Sequence, residues 1–98
     1  MNIEFTDEAR DDLFDAIDYY EAKEIGLGLR FRYQIEGVIR TVISAPTLWR
    51  ERKGGYRQVN CPVFPYCIAY VIRDRTIIVI AVTHASRKPG FWHDRFDK

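Results

Sequence analysis

The strongest constraint on the fold is a pair of consecutive apolar segments in the second half of the chain. The segments "FPYCIAYVIR" (64–73) and "TIIVIAVTH" (76–84) are rich in β-branched and aromatic residues, and only Asp74 and Arg75 separate them. Residues of these types favour strands. Two polar residues between two such runs predict a tight antiparallel hairpin.

A two-residue loop would also fix which side chains share a face of this hairpin, because side chains alternate along a strand. Position 72 then faces 77, 70 faces 79 and 68 faces 81. One face is predicted to carry Tyr66, Ile68, Tyr70, Ile72, Ile77, Val79 and Ala81. The opposite face is predicted to carry Cys67, Ala69, Val71, Ile78, Ile80, Val82 and His84. Both faces are apolar, so helices must cover one, and either the C-terminal segment or a partner must cover the other.

The first half of the chain has the apolar period of two helices. After a short strand at 2–5, Thr6 is placed to cap a helix whose apolar stripe consists of Ala9, Leu13, Ile17 and Tyr20. Gly-Leu-Gly at 26–28 interrupts this helix, and Pro46 ends a second one. The second stripe consists of Leu27, Phe31, Ile35, Val38 and Val42.

With a further strand in "YRQVNC" (56–61), the predicted order is β-α-α-β-β-β. This is an α+β fold in which a helical hairpin packs on a small, mostly antiparallel sheet. Residues 1–98 are expected to form a single domain, as the length indicates.

Charge is balanced overall but unevenly distributed. The net charge is +1, yet nine of the fourteen acidic residues lie in 1–24 and thirteen of the fifteen basic residues lie in 30–98. Such asymmetry predicts a basic face suited to an acidic partner. The basic residues that cluster before and after the hairpin are Arg50, Arg52, Lys53, Arg57, Arg87, Lys88 and Arg95.

Several classes of protein and site are disfavoured. No apolar run approaches the roughly twenty residues that cross a membrane, and no basic stretch followed by an apolar one opens the chain, so a cytoplasmic location is expected. The spacing of Cys61, Cys67, His84 and His93 lacks the close cysteine pair of structural zinc sites. We therefore expect neither a metal nor another cofactor.

The order of parts resembles the RelE/ParE superfamily, the toxins of bacterial type II toxin–antitoxin systems. The matching strings run in order along nearly the whole chain: "DLFDAIDYYE", "GLGLRFRYQIE", Pro46, "GYRQV", "FPYCIAYVI", "IIVIAVTH" and "RKPGFW" followed by Arg95. The resemblance implies a cognate antitoxin as partner.

The resemblance also implies one of two activities. Members that cleave mRNA on the ribosome carry an arginine in the hairpin strand, and Cys67 occupies that place here. A thiol cannot neutralise a phosphate in a transition state. The ending from His84 to Arg95 instead resembles the ParE branch, whose members bind DNA gyrase and trap it on cleaved DNA. A gyrase-binding toxin is therefore the main hypothesis; a ribosome-dependent endoribonuclease and a degenerate toxin that only binds antitoxin are the alternatives.

The candidate catalytic and binding residues each have two possible interpretations. The candidate catalytic residues are His84, Arg57 and Arg87, with His84 read either as a general acid or base or as a strand-end histidine bonded to the C-terminal segment. Phe91 and Trp92 are expected to form a flap over the second sheet face, to which an antitoxin helix could also bind. The predicted partner contacts, to antitoxin and to gyrase or to ribosome and mRNA, are Arg50, Arg52, Arg57, Arg87, Phe91, Trp92 and Arg95.

Overall fold

The computed structural model describes residues 1–88, 91, 92 and 95. Its elements are β1 Asn2–Phe5, α1 Asp7–Lys23, α2 Leu27–Ser44, β2 Arg57–Asn60, β3 Tyr66–Arg73 and β4 Thr76–His84. The strands form one sheet in the order β1-β4-β3-β2, in which β1 runs parallel to β4 and the other neighbours are antiparallel. The predicted α+β fold is confirmed. None of the described helices is long and apolar enough to cross a membrane.

The helical hairpin forms where local signals place it. The Thr6 hydroxyl accepts a hydrogen bond from the Ala9 amide at 3.1 Å, so Thr6 caps α1 as predicted. Gly26 adopts a φ of +87°, and the Glu21 carboxylate accepts hydrogen bonds from the amides of Gly26 and Gly28. These contacts satisfy the amides that open α2 and fix the turn between the helices.

The turn between β3 and β4 also follows the prediction. Asp74 and Arg75 both have positive φ, 51° and 61°, which is the geometry of a tight two-residue hairpin turn. Next to the turn, Ile72 pairs with Ile77 and Tyr70 pairs with Val79, as expected.

The predicted register is wrong further from the turn, because β4 contains a β-bulge. Tyr70 pairs with Val79 but Ala69 pairs with Ala81, so that Ile80 is an extra residue. A bulge of this kind places two consecutive side chains on one side of the sheet and reverses the alternation beyond it. Ile68 therefore pairs with Val82, not Ala81, and His84 lies opposite Tyr66.

The two sides of the sheet bury separate apolar clusters. The side under α1 and α2, here called the helix side, packs residues such as Phe31 and Ile35 against Ile68, Tyr70 and Val82. The opposite side, here called the outer side, carries Ala69, Val71, Ile80 and Ala81, on which Tyr56 and Trp92 pack. Val82 and His84 thus belong to the helix side, which corrects the predicted assignment of both to the face of Cys67.

Candidate functional site

His84 ends β4 at the mouth of a cleft between α1 and the sheet. The cleft has a volume of about 260 Å³ and is lined by both acidic and basic groups. The residues that define its chemistry are Asp12, Asp15, Tyr19, Tyr66, His84 and Arg87. Of the candidate catalytic residues, the structure thus brings His84 and Arg87 to one place.

The His84 ring is held in a defined orientation by its neighbours. Its Nδ1 atom accepts a hydrogen bond from the Ser86 amide at 3.0 Å, and the Ser86 hydroxyl lies 2.7 Å from the same atom. The Tyr66 ring meets the imidazole edge-on, with centroids 5.4 Å apart. An amide can only donate, so neutral His84 carries its proton on Nε2, where it offers a donor and not a base.

Arg57 lies on the helix side and anchors a loop. Its guanidinium donates to the Trp49 carbonyl at 2.6 Å. Tyr70, its cross-strand partner, donates to the Pro46 carbonyl, also at 2.6 Å. Burial raises the pKa of Tyr70, while the Arg57 charge acts in the opposite direction. The two side chains together fix the segment that follows α2.

The structure does not bring Arg57 to His84. Arg57 lies opposite Tyr70 and His84 lies opposite Tyr66. These partners are four residues apart along β3, a separation of about 13 Å at the rise of a strand. An arginine at that distance cannot share a reacting group with the imidazole, since acid–base contacts require hydrogen-bond reach.

Cys67 lies on the outer side of the sheet and is 2% exposed. Burial raises the pKa of its thiol, and the nearby Arg52 charge opposes this shift only in part. The thiol is therefore uncharged at neutral pH and cannot stabilise a phosphate. Cys61 belongs to the helix-side cluster, so the two cysteines lie on different sides of the sheet.

The four residues of zinc-binding type, for which no metal site was expected, do not share one side of the sheet. Cys61 and His84 are on the helix side and Cys67 is on the outer side, while His93 lies outside the described residues. Within the described part of the chain, no group of three or more His, Cys, Asp or Glu side chains could hold a metal ion.

The outer side is covered by a C-terminal flap, defined here as Phe91 and Trp92. Trp92 is 2% exposed, and its ring meets Tyr56 edge-on with centroids 5.3 Å apart. The Arg87 guanidinium lies 4.0 Å above the Phe91 ring. The flap interpretation is confirmed for both aromatic residues, whereas the predicted turn at Pro89 and Gly90 lies outside the described residues.

The remaining predicted partner contacts differ in their environments. Arg50 and Arg87 are exposed, and Arg52 is half-buried. Arg95 is engaged within the chain, because its guanidinium pairs with Asp12 and donates to the Ile80 carbonyl. Their roles as contacts to a partner stay predictions.

Asp12 is a structural residue that sequence reasoning missed. Its Oδ2 atom accepts hydrogen bonds from the Val82 amide at 3.1 Å and from Arg95 at 2.7 Å. Asp12 is one of several carboxylates on α1, and its partners lie 70 and 83 residues away. No local pattern distinguishes it from Asp11 or Asp15.

An apolar surface remains on the helical hairpin. Phe14 is 55% exposed and borders a groove of about 300 Å³ between the two helices and β1. Leu13, Ile17 and Ile39 line the groove, and the ion pair between Arg32 and Glu36, 3.5 Å apart, lies at its edge. An exposed apolar groove with a charged rim is typical of a surface that binds another protein.

Comparison with known proteins gives one consistent result. Residues 3–89 match the family described as ParE toxin of type II toxin-antitoxin system, parDE. Toxin ParE2 of Mycobacterium tuberculosis is 29% identical over 81 residues, which cover 82% of this chain and 77% of that protein. The same toxin from a second strain of that organism matches equally well. A solved structure, the chromosomal ParDE TA system from P. aeruginosa, shares the fold with a TM-score of 0.73 and 18% identity, over 86% of this chain and 95% of that one. The chain belongs to the ParE toxin family of type II toxin–antitoxin systems.

Proposed function

We propose that this ParE-family chain is a cytoplasmic toxin that inhibits DNA gyrase by binding it, and that a cognate antitoxin neutralises it by covering its exposed surfaces. The observation that carries the gyrase assignment concerns the two strand positions at which a nuclease would need a cation. Cys67, a buried neutral thiol, stands where the mRNA-cleaving members carry an arginine, and Arg57 is paired four residues along β3 from the partner of His84.

Cleavage of RNA would need a cation and an acid or base at one place. A nuclease requires a cation at the scissile phosphate and an acid or base within hydrogen-bond reach of the reacting oxygen atoms. The cleft beside His84 is also lined by Asp15, whose carboxylate repels a phosphate backbone, while the charge of Asp12 is paired with Arg95. The cation that lines this cleft, Arg87, lies over the Phe91 ring. These features favour a binding inhibitor over a nuclease.

Two surfaces support an antitoxin that wraps the toxin. The groove beside Phe14 offers apolar area to a helix or an extended segment, and the loop with Arg50 and Lys53 offers exposed positive charge. A partner with an apolar segment and acidic residues would match both.

The deciding experiment compares the two targets directly. Purified protein is added to a gyrase supercoiling assay, with cleavage complexes trapped by detergent, and to a translation reaction in which mRNA cuts at the ribosomal A site are mapped. We expect inhibited supercoiling with accumulated cleavage complexes and no cuts. Because the role of His84 is structural in this proposal, His84→Ala and Ser86→Ala should both inhibit gyrase at the same dose as the parent protein.

Two outcomes would overturn the proposal. Cuts in mRNA that His84→Ala abolishes, with gyrase unaffected, would assign the chain to the ribosome-dependent activity. Normal growth when the chain is expressed without antitoxin, together with inert behaviour in both assays, would leave a protein that only binds its antitoxin.

A further inference from the structure

The cleft between α1 and the end of β4 has the size of a receptacle for one side chain. Its volume is about 260 Å³. Pockets that enclose whole small molecules measure roughly 300–1,000 Å³. Ala16, whose side chain is a single methyl group, leaves room on the α1 wall of the cleft, and Tyr19 and Tyr66 line it as well. The cleft therefore suits a side chain that another protein inserts.

The two carboxylates that line the cleft differ in their charge state. Asp12 is paired with Arg95 at 2.7 Å, so its charge is neutralised within the chain. Asp15 is exposed and has neither an ion-pair nor a hydrogen-bond partner among the described residues. Tyr19 follows Asp15 by four positions on α1, so the two side chains are neighbours on one face of the helix. Asp15 thus supplies an unpaired negative charge beside an aromatic ring.

The two tyrosines of the cleft also favour a cation. Neither phenolic hydroxyl has a hydrogen-bond partner among the residues that the structure describes. Burial raises the pKa of Tyr66, and the nearby Tyr19 hydroxyl and Asp12 carboxylate act in the same direction, as a negative potential does. The Tyr19 ring already attracts one cation of this chain, because the Lys23 ammonium lies 4.7 Å from its centroid.

The basic residues of the cleft do not cancel this preference. The guanidinium of Arg87 lies 4.0 Å from the centroid of the Phe91 ring, in the C-terminal flap. His84 accepts the Ser86 amide at Nδ1, so its neutral ring offers an N–H group at Nε2. Such a donor matches a backbone carbonyl beside an inserted side chain. The cleft therefore combines acceptors for a cation with a donor for a peptide group.

An arginine side chain matches this set of groups better than a lysine side chain. A guanidinium is planar, forms two parallel hydrogen bonds to a carboxylate and stacks on aromatic rings, whereas an ammonium is compact and strongly hydrated. Asp15 provides the carboxylate, and Tyr19 and Tyr66 provide the rings. Ala16 and Val82 offer apolar contact to the methylene groups of the stem.

We propose that this cleft binds the side chain of an arginine in a basic segment of a protein partner, with Asp15 as its counter-ion and Tyr19 and Tyr66 as its aromatic walls. Exposed carboxylates at Asp11 and Asp18, on the same helix, extend the negative surface that would attract such a segment. The inference does not depend on the proposed function. It adds an acidic contact site to a chain whose basic loop and apolar groove lie elsewhere.

An NMR titration of the whole chain tests the site. In protein labelled at alanine methyl groups, Ala16 reports on the cleft, and Ala69, buried in the outer-side cluster, is the internal control. The probes are N-acetyl-arginine N-methylamide, its lysine and neutral citrulline analogues, and guanidinium chloride, all at equal ionic strength. We expect a saturable shift of the Ala16 signal that is tightest with the arginine probe and absent with the citrulline probe, while Ala69 does not respond.

A matched pair of variants separates the cleft from the general charge of α1. Asp15→Asn should weaken the arginine probe about three- to five-fold, the upper end of what a solvent-accessible ion pair contributes. Asp18→Asn removes the same charge from an exposed position that does not line the cleft, and it should leave the affinity unchanged. Tyr19→Leu, at a side chain that is 54% exposed, should fold and weaken the probe about two- to five-fold.

Four results would overturn parts or all of the proposal. A linear response, or equal responses to arginine and citrulline, would overturn the site. Equal weakening by Asp15→Asn and Asp18→Asn would replace it with diffuse attraction to α1. Equal affinity for the lysine probe would overturn the choice of arginine, and equal affinity for guanidinium chloride would overturn a side chain presented by a protein. None of these measurements uses gyrase or antitoxin, so their outcome is independent of the proposed function.

Discussion

Asp12 and Arg95 form a two-point ion pair, with Oδ2 to Nη1 at 2.7 Å and Oδ1 to Nη2 at 3.2 Å. The same carboxylate accepts the Val82 amide, and the same guanidinium donates to the Ile80 carbonyl. β1 pairs with β4 only as far as Val79. Beyond that point, among the described residues, Asp12 and Arg95 bond backbone groups of β4 that a neighbouring strand would otherwise bond. They tie the C-terminal segment to α1.

The first prediction concerns this ion pair. Asp12→Asn removes the charge and one of the acceptors, so the free energy of unfolding should fall by about 2 kcal/mol, the range for hydrogen bonds to charged groups. The control is Asp15→Asn, an exposed carboxylate that lines the same cleft, which should change stability by less than about 0.5 kcal/mol. Urea unfolding at neutral pH measures both, and equal effects would contradict the assigned role of Asp12.

The second prediction concerns the C-terminal flap. Trp92→Ala uncovers the outer side and should reduce the free energy of unfolding by about 3–5 kcal/mol, as for other buried tryptophans. Leu48→Ala, at a side chain that is 68% exposed, is the control and should have little effect. A dye that binds exposed apolar surface should fluoresce more strongly with Trp92→Ala than with the parent protein. Equal dye fluorescence for Trp92→Ala and the parent protein would show that the outer side stays covered without the Trp92 ring.

The third prediction compares two glycines of α2. A Cβ added at Gly28 would lie 2.7 Å from the Ile17 carbonyl oxygen and 2.9 Å from Glu21 Cβ, whereas at Gly37 the nearest atom is the Arg40 guanidinium at 3.7 Å. Gly28→Ala should therefore destabilise by about 1–3 kcal/mol through overpacking. Gly37→Ala should stabilise by up to about 1 kcal/mol because alanine favours helix. Thermal unfolding should give shifts of opposite sign; shifts of the same sign would rule out close helix contact at Gly28.

The fourth prediction is a loss of stability in alkali. Burial raises the pKa of Cys67 above its ordinary 9.0 and that of Tyr70 above its ordinary 10.0. The unfolded chain loses these protons at lower pH than the folded one, so stability is full below pH 9 and falls as the pH rises toward the folded pKa values. Unfolding in urea at pH 7, 9 and 10.5 measures the fall.

Two variants identify the groups responsible. Cys67→Ala and Tyr70→Phe should each make the alkaline fall less steep, although Tyr70→Phe also loses the hydrogen bond to Pro46 and starts from lower stability. If both variants lose stability as steeply as the parent protein, other groups cause the fall.

The elements were predictable because their signals are local. The Thr6 cap, the apolar stripes of α1 and α2, and the two-residue turn at Asp74 and Arg75 each depend on residues within a few positions of one another. The bulge at Ile80 was not predictable, since an uninterrupted run of apolar residues looks the same with or without an extra one. The predicted side of His84 was wrong for this reason alone.

The site was predictable in composition but not in arrangement. The density of aromatic and basic residues near the C-terminus correctly indicated a flap, and Trp92 covers the outer side. The partners of Arg57 and Arg95 were not predictable, because they are a loop carbonyl and a carboxylate far along the chain. Such contacts depend on tertiary geometry and produce no periodic pattern in the sequence.

The pairing of β1 with β4 also sets the order in which the toxin can be completed during translation. Asn2–Phe5 is synthesised long before Thr76–Val79, which is its only strand partner among the described residues. The helical hairpin can form early from local contacts, but the sheet that supports it must wait until β4 has left the ribosome. A nascent chain therefore lacks both the complete sheet and the surfaces that the sheet supports until β4 has been synthesised.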